Sequence, residues 1–232
     1  MFTLPGSNMN FPAPLAVLGF LAASLGLFGA LLAILVAWFT RRPKFVRTLA
    51  KLAAIGAVVY LVLLFGFSLT SHANVLARGQ EKYFCEIDCH LAYSIVDVKT
   101  VSTANSIRYL VTLRTRFDET TISPSRPKDV PLTPNPRIVR LIVLNDASGH
   151  EYSPTAVQGT PLLTPLKPAD SYTTQLQFDV PKPAAPKIDS PKLDLPKDAA
   201  GPRLLLTTSG AEQTLIIGDE NSLLHKKTYF AL

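Results

Sequence analysis

The chain has 232 residues, with 23 Lys+Arg against 17 Asp+Glu and a formal net charge of +6. All 17 acidic residues follow residue 71, and only five basic residues precede it, so residues 72–232 carry 18 basic residues (23 − 5) against 17 acidic ones. A basic face on a folded domain is what nucleic-acid binding needs. The near-neutral balance of residues 72–232 excludes such a face, so no nucleic-acid partner is expected.

Two long uncharged runs predict a transmembrane helical hairpin over residues 1–71. Residues 11–39 carry no charge and exceed the roughly 20 residues that span a bilayer. A signal peptide would have a basic segment before a shorter apolar core. Residues 52–71 form the second run, so we expect helices at about 12–39 and 52–71, joined by a loop at 40–51. Small residues in both runs permit close helix approach, including Gly19, Gly26, Gly29, Gly56 and Gly66.

The basic residues between the two runs set the expected orientation. They are Arg41, Arg42, Lys44, Arg47 and Lys51. By the positive-inside rule this loop is cytoplasmic and both termini lie outside. In a bacterium, the chain then sits in the inner membrane with its C-terminal part on the periplasmic or external side. Neither run contains an ionisable Asp, Glu, Lys, Arg or His, which favours an anchor or docking surface over a transporter.

Residues 72–90 read as a juxtamembrane linker that holds the only two cysteines, Cys85 and Cys89, with His90 adjacent. Its first part, residues 72–81, is expected to continue the second helix. In an oxidising compartment the two cysteines favour a structural disulfide. Two thiolates and an imidazole also suit copper or zinc. Covalent haem fits less well, because its signature has two residues between the cysteines.

Residues 91–232 predict an all-β domain, an antiparallel sandwich built of short strands separated by turn signals. The expected strands are 91–101, 107–117, 137–145, 150–153, 171–180, 204–209 and 214–217. The second and fifth alternate apolar and polar residues with a period of two. Residues 145–149 supply a hairpin turn, and Ser209-Gly210 is expected to turn the last hairpin. A Pro-rich insert at 181–202 holds six prolines and cannot bury a core.

The C-terminal segment Gly218–Lys227 predicts a short capped helix with acids at its start and bases at its end. His225 near its end is a candidate distal ligand for a metal at Cys85, Cys89 and His90. The commoner role of such a histidine is a helix C-terminal cation. Arg108, on the polar face of the second strand with two other arginines, is expected to line a solvated or subunit-facing surface.

Two stretches carry a resemblance to a known family. They are Leu141-Ile142-Val143-Leu144-Asn145-Asp146-Ala147-Ser148-Gly149-His150-Glu151-Tyr152 and Leu166-Lys167-Pro168-Ala169-Asp170-Ser171-Tyr172-Thr173-Thr174-Gln175-Leu176-Gln177-Phe178-Asp179-Val180-Pro181. Over roughly residues 91–209 the chain resembles the immunoglobulin-like, telokin-like domains of bacterial lipoproteins and membrane-anchored extracytoplasmic proteins. The resemblance implies an immunoglobulin-like fold and transfers no active site.

Cytochrome oxidase subunit II resembles the overall plan, because it has two N-terminal helices and an external β-domain with a Cys-x-x-x-Cys copper loop. That loop lies late in its β-domain and is followed by His and Met. Here the cysteines precede the β-region and no methionine follows Met9. Membrane-anchored copper chaperones share the cysteine spacing and a distant histidine, but on a thioredoxin-like fold that this strand pattern does not match.

No nucleophile elbow, triad pattern or Gly-rich phosphate loop occurs in the sequence. We therefore expect a non-enzymatic, membrane-anchored extracytoplasmic module that binds or scaffolds other membrane proteins, as an accessory subunit of a larger complex. No resident cofactor is expected in that role. The alternative is a copper-binding or redox protein that uses Cys85, Cys89 and a histidine.

Overall fold

The computed structural model describes residues 6–84, 90–122, 127, 129–134, 136–143, 150–182, 202–208 and 214–232. The chain forms two compact units. The helical unit contains Met9–His72 and the described part of Glu212–Lys226. The β unit contains the described parts of Leu4–Asn8, Ala73–Ala211 and Lys227–Leu232. Cys85, Cys89 and most of the Pro-rich insert lie outside the described residues.

The helical unit is built on two long apolar helices, α1 (Ala13–Phe39) and α2 (Pro43–Thr70). Both are long and apolar enough to cross a membrane, judged by length and composition. Residues 40–42 join them, so α2 begins at Pro43 and not at residue 52 as predicted. Proline suits a first helical turn because its missing N–H would have no partner there. Most of the predicted loop is thus the start of α2.

Most large apolar side chains of α1 and α2 face outward. The exposed ones include Leu18, Leu25, Phe28, Leu31, Phe39, Leu52, Val58, Val62 and Leu69. On α1 the more protected positions include an alanine every seventh residue, at Ala16, Ala23, Ala30 and Ala37. Such a seam of small side chains allows a neighbouring helix to approach closely. By contrast, a Cβ built on Gly19, Gly26 or Gly29 meets nothing within 4 Å, so alanines and not these glycines line the protected face.

The described part of the β unit contains ten strands in two five-stranded sheets. The strands are β1 (Asn74–Leu76), β2 (Lys82–Tyr83), β3 (Leu91–Ser102), β4 (Ser106–Phe117), β5 (Pro136–Val143), β6 (His150–Tyr152), β7 (Ala156–Gly159), β8 (Ser171–Pro181), β9 (Arg203–Thr208) and β10 (Thr228–Ala231). One sheet has the order β1-β10-β9-β5-β6 and the other β2-β3-β4-β8-β7. A 3-10 turn, Glu119–Thr121, follows β4.

Both sheets contribute side chains to one hydrophobic cluster. Its buried members are Leu76, Phe84, Leu91, Tyr93, Ile95, Val111, Leu113, Phe117, Val139, Leu166, Leu176, Phe178, Val180, Leu204, Leu206 and Phe230. Two sheets that share one core in this way form the layered arrangement that a β-sandwich requires. The described buried members come from β1, β3, β4, β5, β8, β9 and β10 and from the connections between strands.

The strands with clear alternation are confirmed. β4 and β8 pair in antiparallel register from Ser106↔Pro181 to Arg116↔Ser171. Along both strands the predicted apolar face is the more buried one, because a period of two places alternate side chains on the core side. The predicted hairpin between β5 and β6 is confirmed as well, with Leu141 opposite Tyr152.

Two predictions near the ends of the β unit are wrong. Residues 72–81 do not continue α2, which ends at Thr70; Asn74–Leu76 instead form β1 and pair in parallel with β10. The sheet is therefore not wholly antiparallel. Residues 214–217 do not form a strand beside β9, whose neighbours are β5 and β10. In both cases pairing between segments far apart in the sequence decides the structure.

The predicted helix at 218–227 is also wrong, because the described residues there form turns. Gly218 and Leu224 both have positive φ, at 77° and 64°, which ends any run of right-handed helix. The Asp219 carboxylate accepts a hydrogen bond from the Asn221 N–H at 2.7 Å, and such local side-chain bonds compete with helix formation. We call Thr214–Lys226, which belongs to the helical unit, the return segment.

Candidate functional site at the flanks of the cysteine segment

The residues on either side of 85–89 belong to two paired strands. Tyr83 in β2 lies opposite Ala92 in β3 in an antiparallel pair, so the cysteine segment connects neighbouring strands of one sheet. The N-terminal residues reinforce β2, because the Tyr83 N–H donates to the Gly6 carbonyl and the Asn8 N–H donates to the Tyr83 carbonyl, both at 3.0 Å. The chain entering the cysteine segment is thus hydrogen-bonded on both of its sides.

His90, the first described residue after the cysteine segment, is buried and stacked on Phe117, with ring centroids 5.6 Å apart. Its Nδ1 lies 2.7 Å from the Thr121 hydroxyl oxygen. That hydroxyl also donates to the Asp118 carbonyl at 2.8 Å. A hydrogen bond at one ring nitrogen holds the imidazole in a defined orientation, as it does for metal-binding histidines.

A polar network ties β2 to the end of β4. The Arg116 guanidinium donates to both carboxylate oxygens of Glu81, at 2.9 and 2.8 Å, and to Asp118 at 3.2 Å. The Tyr83 hydroxyl lies 2.8 Å from an oxygen of Glu81 and 2.8 Å from one of Asp118. Asp118 also accepts from the backbone and hydroxyl of Thr120. We call Glu81, Tyr83, Arg116 and Asp118 the clamp.

Within the clamp the pKa values of the two carboxylates are lowered and the pKa of the tyrosine is raised. Hydrogen bonds from Arg116 lower the pKa of Glu81 below its ordinary value. Burial by itself would raise the pKa of Asp118, but hydrogen bonds from Thr120, Tyr83 and Arg116 outweigh it and lower that pKa to about 2. Burial and then the two carboxylates raise the pKa of Tyr83. At neutral pH the clamp therefore holds two carboxylates, one guanidinium and a neutral phenol.

Lys82 points to the opposite side of β2 and has a relative exposure of 0 %. Its ammonium donates to the backbone carbonyls of Leu206 in β9 and Thr228 at the start of β10, at 2.9 and 3.0 Å. It also lies 4.8 Å from the centroid of the Phe84 ring, a cation–π distance. Since β2 belongs to one sheet and β9 and β10 to the other, Lys82 links the two sheets beside the cysteine segment.

The two predicted histidine ligands belong to different units. His90 belongs to the β unit, whereas His225 belongs to the helical unit, where its Nδ1 lies 2.8 Å from the Lys226 carbonyl. Among the described residues, no group of three or more His, Cys, Asp or Glu side chains is arranged to hold a metal ion. Cys85 and Cys89 lie outside that part of the chain, so their pairing and their ligand role remain predictions.

Sequence reasoning missed the clamp and Lys82. Glu81 and Lys82 directly precede the aromatic pair before Cys85, and Asp118 directly follows the alternating strand; charges at strand ends were the available signal. On the arginine face of β4, Arg108 pairs with Asp179 at 2.6 Å, and Arg116 pairs with the carboxylates of the clamp. Two of its three arginines thus have carboxylate partners, as expected of a solvated strand face.

No protein-family model, curated protein or solved structure matches this chain.

Proposed function

We propose that this chain is a membrane-anchored extracytoplasmic binding or scaffold module that serves as an accessory subunit of a larger membrane protein complex. The observation that carries the proposal is the contrast between a β unit with its own closed core and two helices whose large apolar side chains face outward. Outward apolar helices need lipid or other membrane proteins around them. The β unit is then what the anchor holds at the membrane surface.

We further propose that the helices span the inner membrane of a bacterium with both termini and the β unit on the periplasmic or external side. The five basic residues 41–51 support this orientation, since they lie at the turn between the helices and on the first turns of α2. A periplasm-active phosphatase fused after Leu232 should be active, and the same reporter inserted after Arg42 should be inactive. The reverse pattern would overturn the orientation.

The β unit, in this proposal, is an immunoglobulin-like sandwich related to the telokin-like domains that the sequence resembles. Strand order supports it. If β3 to β10 are given the letters A, B, C, C′, D, E, F and G, the two sheets read A-B-E-D and G-F-C-C′, which is the immunoglobulin arrangement. β1 and β2 are additions at the sheet edges. An experimental structure with a different strand order would reject this relationship.

The partner proposal is tested in native membranes. Crosslinking in the intact cell, followed by extraction in mild detergent and native mass spectrometry, should return the chain with other membrane proteins in fixed proportion. Variants with Leu25 and Phe28 changed to Ala should lose those partners while keeping the β unit folded. A matched variant at the exposed strand residue Val157 should retain them. Recovery of the unmodified chain solely as a monomer would overturn the proposal.

The second candidate function is a copper-binding or redox protein acting through Cys85, Cys89 and His90. The specific observation in its favour is the position of His90, which directly follows the cysteine segment and is oriented by the contact of its Nδ1 with the Thr121 hydroxyl at 2.7 Å. Stoichiometric copper or zinc in the purified chain, lost in a Cys85→Ser/Cys89→Ser variant whose β unit stays folded, would establish it. A quantitative disulfide with no bound metal would reject it and favour a structural role for the cysteines.

A further inference from the structure

The return segment reverses the usual distribution of polar and apolar side chains. Its four consecutive polar residues Asp219, Glu220, Asn221 and Ser222 have relative exposures of 2, 1, 2 and 3 %. The leucines on either side are exposed, with Leu215 at 43 %, Leu223 at 42 % and Leu224 at 64 %. A loop in water exposes its polar side chains and hides its apolar ones. This segment is arranged for a surrounding medium that is apolar.

Backbone hydrogen bonds hold the segment within the helical unit. The hydrogen bonds that secure it, with the donor first, are Thr214 N to Asn221 O, Asp219 N to Ile216 O, Ser222 N to Asp219 O, His225 N to Ser222 O and Asn10 N to Gly218 O. Non-helical backbone is tolerated at membrane depth only where such bonds are made inside the protein. The return segment meets that requirement at the residues named.

Two further bonds set its position along α2. The Tyr60 hydroxyl donates to the Leu215 carbonyl at 2.7 Å, and the Lys226 N–H donates to the Ser71 hydroxyl oxygen at 2.8 Å. At 1.5 Å per helical residue, Tyr60 lies about 14 Å from Lys51 and about 16 Å from Ser71 along the helix axis. The stretch from Lys51 to Ser71 is thus about 30 Å long, which equals the hydrocarbon thickness of a bilayer.

We propose that the return segment is inserted in the outer leaflet of the bilayer, with Leu215 among the acyl chains and Leu223 and Leu224 nearer the headgroups. The segment rises along α2 from the level of Tyr60 to that of Ser71 and leaves the membrane at the exposed Lys226, where a basic side chain suits the headgroup region. The ligand of this surface is lipid. This inference rests on the proposed membrane-spanning role of α1 and α2 and adds a third membrane-embedded element to it.

Tryptophan fluorescence in lipid nanodiscs tests the depth directly, because the chain has a single tryptophan. In a Trp38→Phe background, Leu215→Trp should lose about half or more of its emission to a nitroxide placed deep on the acyl chain. Leu224→Trp should respond more strongly to a nitroxide near the headgroup. Val157→Trp, on the exposed strand β7, is the matched control and should respond to neither.

Phe28→Trp, near the middle of α1, tests the membrane-spanning helices separately from the inserted return segment. Quenching of this variant by the deep nitroxide, together with aqueous iodide quenching of the Leu215 and Leu224 variants, would overturn the inserted return segment and keep the membrane-spanning helices. Absence of both lipid and iodide quenching at Leu215 and Leu224 would also overturn it, because protein would then cover these sites. A Phe28→Trp variant quenched only by iodide would overturn the membrane-spanning role as well.

The unmodified chain gives a second readout that does not depend on the variants folding. In vesicles that contain a lipid with a photoactivatable group on its acyl chain, crosslinked peptides should include residues 214–224 along with those of α1 and α2. Peptides from β7 should carry no label. Labelled α1 and α2 with an unlabelled return segment would reject the inference.

Discussion

The helical unit and the β unit bury opposite kinds of side chain. In the β unit the buried cluster is apolar, and charged side chains such as Lys99 and Arg114 are exposed. In the helical unit the leucines and phenylalanines of α1 and α2 are exposed, while Asp219 and Glu220 are buried. The proposed role as a membrane-anchored module accounts for this difference, because it places water around one unit and lipid around the other.

The largest expected effect concerns Lys82, a fully buried charged side chain of the β unit. Lys82→Ala removes the ammonium that bonds the Leu206 and Thr228 carbonyls and leaves a cavity, so we expect the β unit to lose about 3–5 kcal/mol of unfolding free energy. Urea unfolding of the detergent-solubilised chain, followed by its β-sheet ellipticity, measures the change. Lys99→Ala, at an exposed site, is the control, and an equal small loss in both variants would contradict a structural link.

Gly218→Ala tests how tightly the return segment is fitted to the helical unit. Gly218 has φ of 77°, and an added Cβ would lie 2.6 Å from the Phe11 Cβ and 2.7 Å from the Asn10 Oδ1. We expect a cost of about 2 kcal/mol, seen as faster amide hydrogen exchange across residues 214–226. Gly66→Ala, where a Cβ meets nothing within 4 Å, should leave that exchange unchanged.

The clamp gives the β unit a defined acid sensitivity. The pKa of Asp118 is lowered to about 2 from an ordinary value of 3.8, and that of Glu81 is also lowered. The stabilisation is therefore complete above the ordinary values and is lost as the pH falls from about 5 to 2. For Asp118 we expect a loss on the order of 1–2 kcal/mol, allowing for screening by solvent.

Unfolding of the β unit at a series of pH values measures this loss. Asp118→Asn should flatten the dependence between pH 5 and 2 while lowering stability at neutral pH. Asp97, on an exposed part of β3, supplies the matched control as Asp97→Asn. A variant at Asp118 with an unaltered acid transition would show that the clamp does not couple folding to protonation.

The smallest expected effect concerns the hydrogen bond between Tyr60 of α2 and the return segment. Tyr60→Phe removes the hydrogen bond to the Leu215 carbonyl and should cost about 1 kcal/mol. The change should appear as faster hydrogen exchange at residues 215–217 in nanodiscs, with exchange in β4 unaffected. An equal rate in both proteins would show that this bond does not hold the segment at its depth.

Prediction from sequence succeeded where the signal lies within one element. The alternation in β4 and β8 predicted which side chains face the core, and the extent of α1 followed from its uncharged run. For α2 the uncharged run predicted the existence of the helix but not its start at Pro43. It failed for β1, for residues 214–217 and for 218–227, because their structure depends on partners elsewhere in the chain. β1 needs β10, and the return segment needs Asn10, Tyr60 and Ser71.

In the candidate site too, the sequence identified residues that are close together along the chain and missed those that meet only in the fold. Cys85, Cys89 and His90 stood out because they are adjacent in sequence and rare in type. Arg116 and Asp118 did not, since they follow Glu81 and Tyr83 by about 35 residues and meet them only because β3 and β4 fold back beside β2. No local pattern encodes that encounter.

The sequence alone determined the two long apolar helices and the strand-rich character of the remainder, and its basic residues led to the proposed orientation. Hydropathy, charge and period are sums over neighbouring residues, so they can be read without knowing the fold. Only the tertiary structure decided that Lys82 is buried between two sheets, and that residues 214–226 leave the strands and lie along α2. Those outcomes depend on which distant backbone groups find each other, and that choice is made by packing.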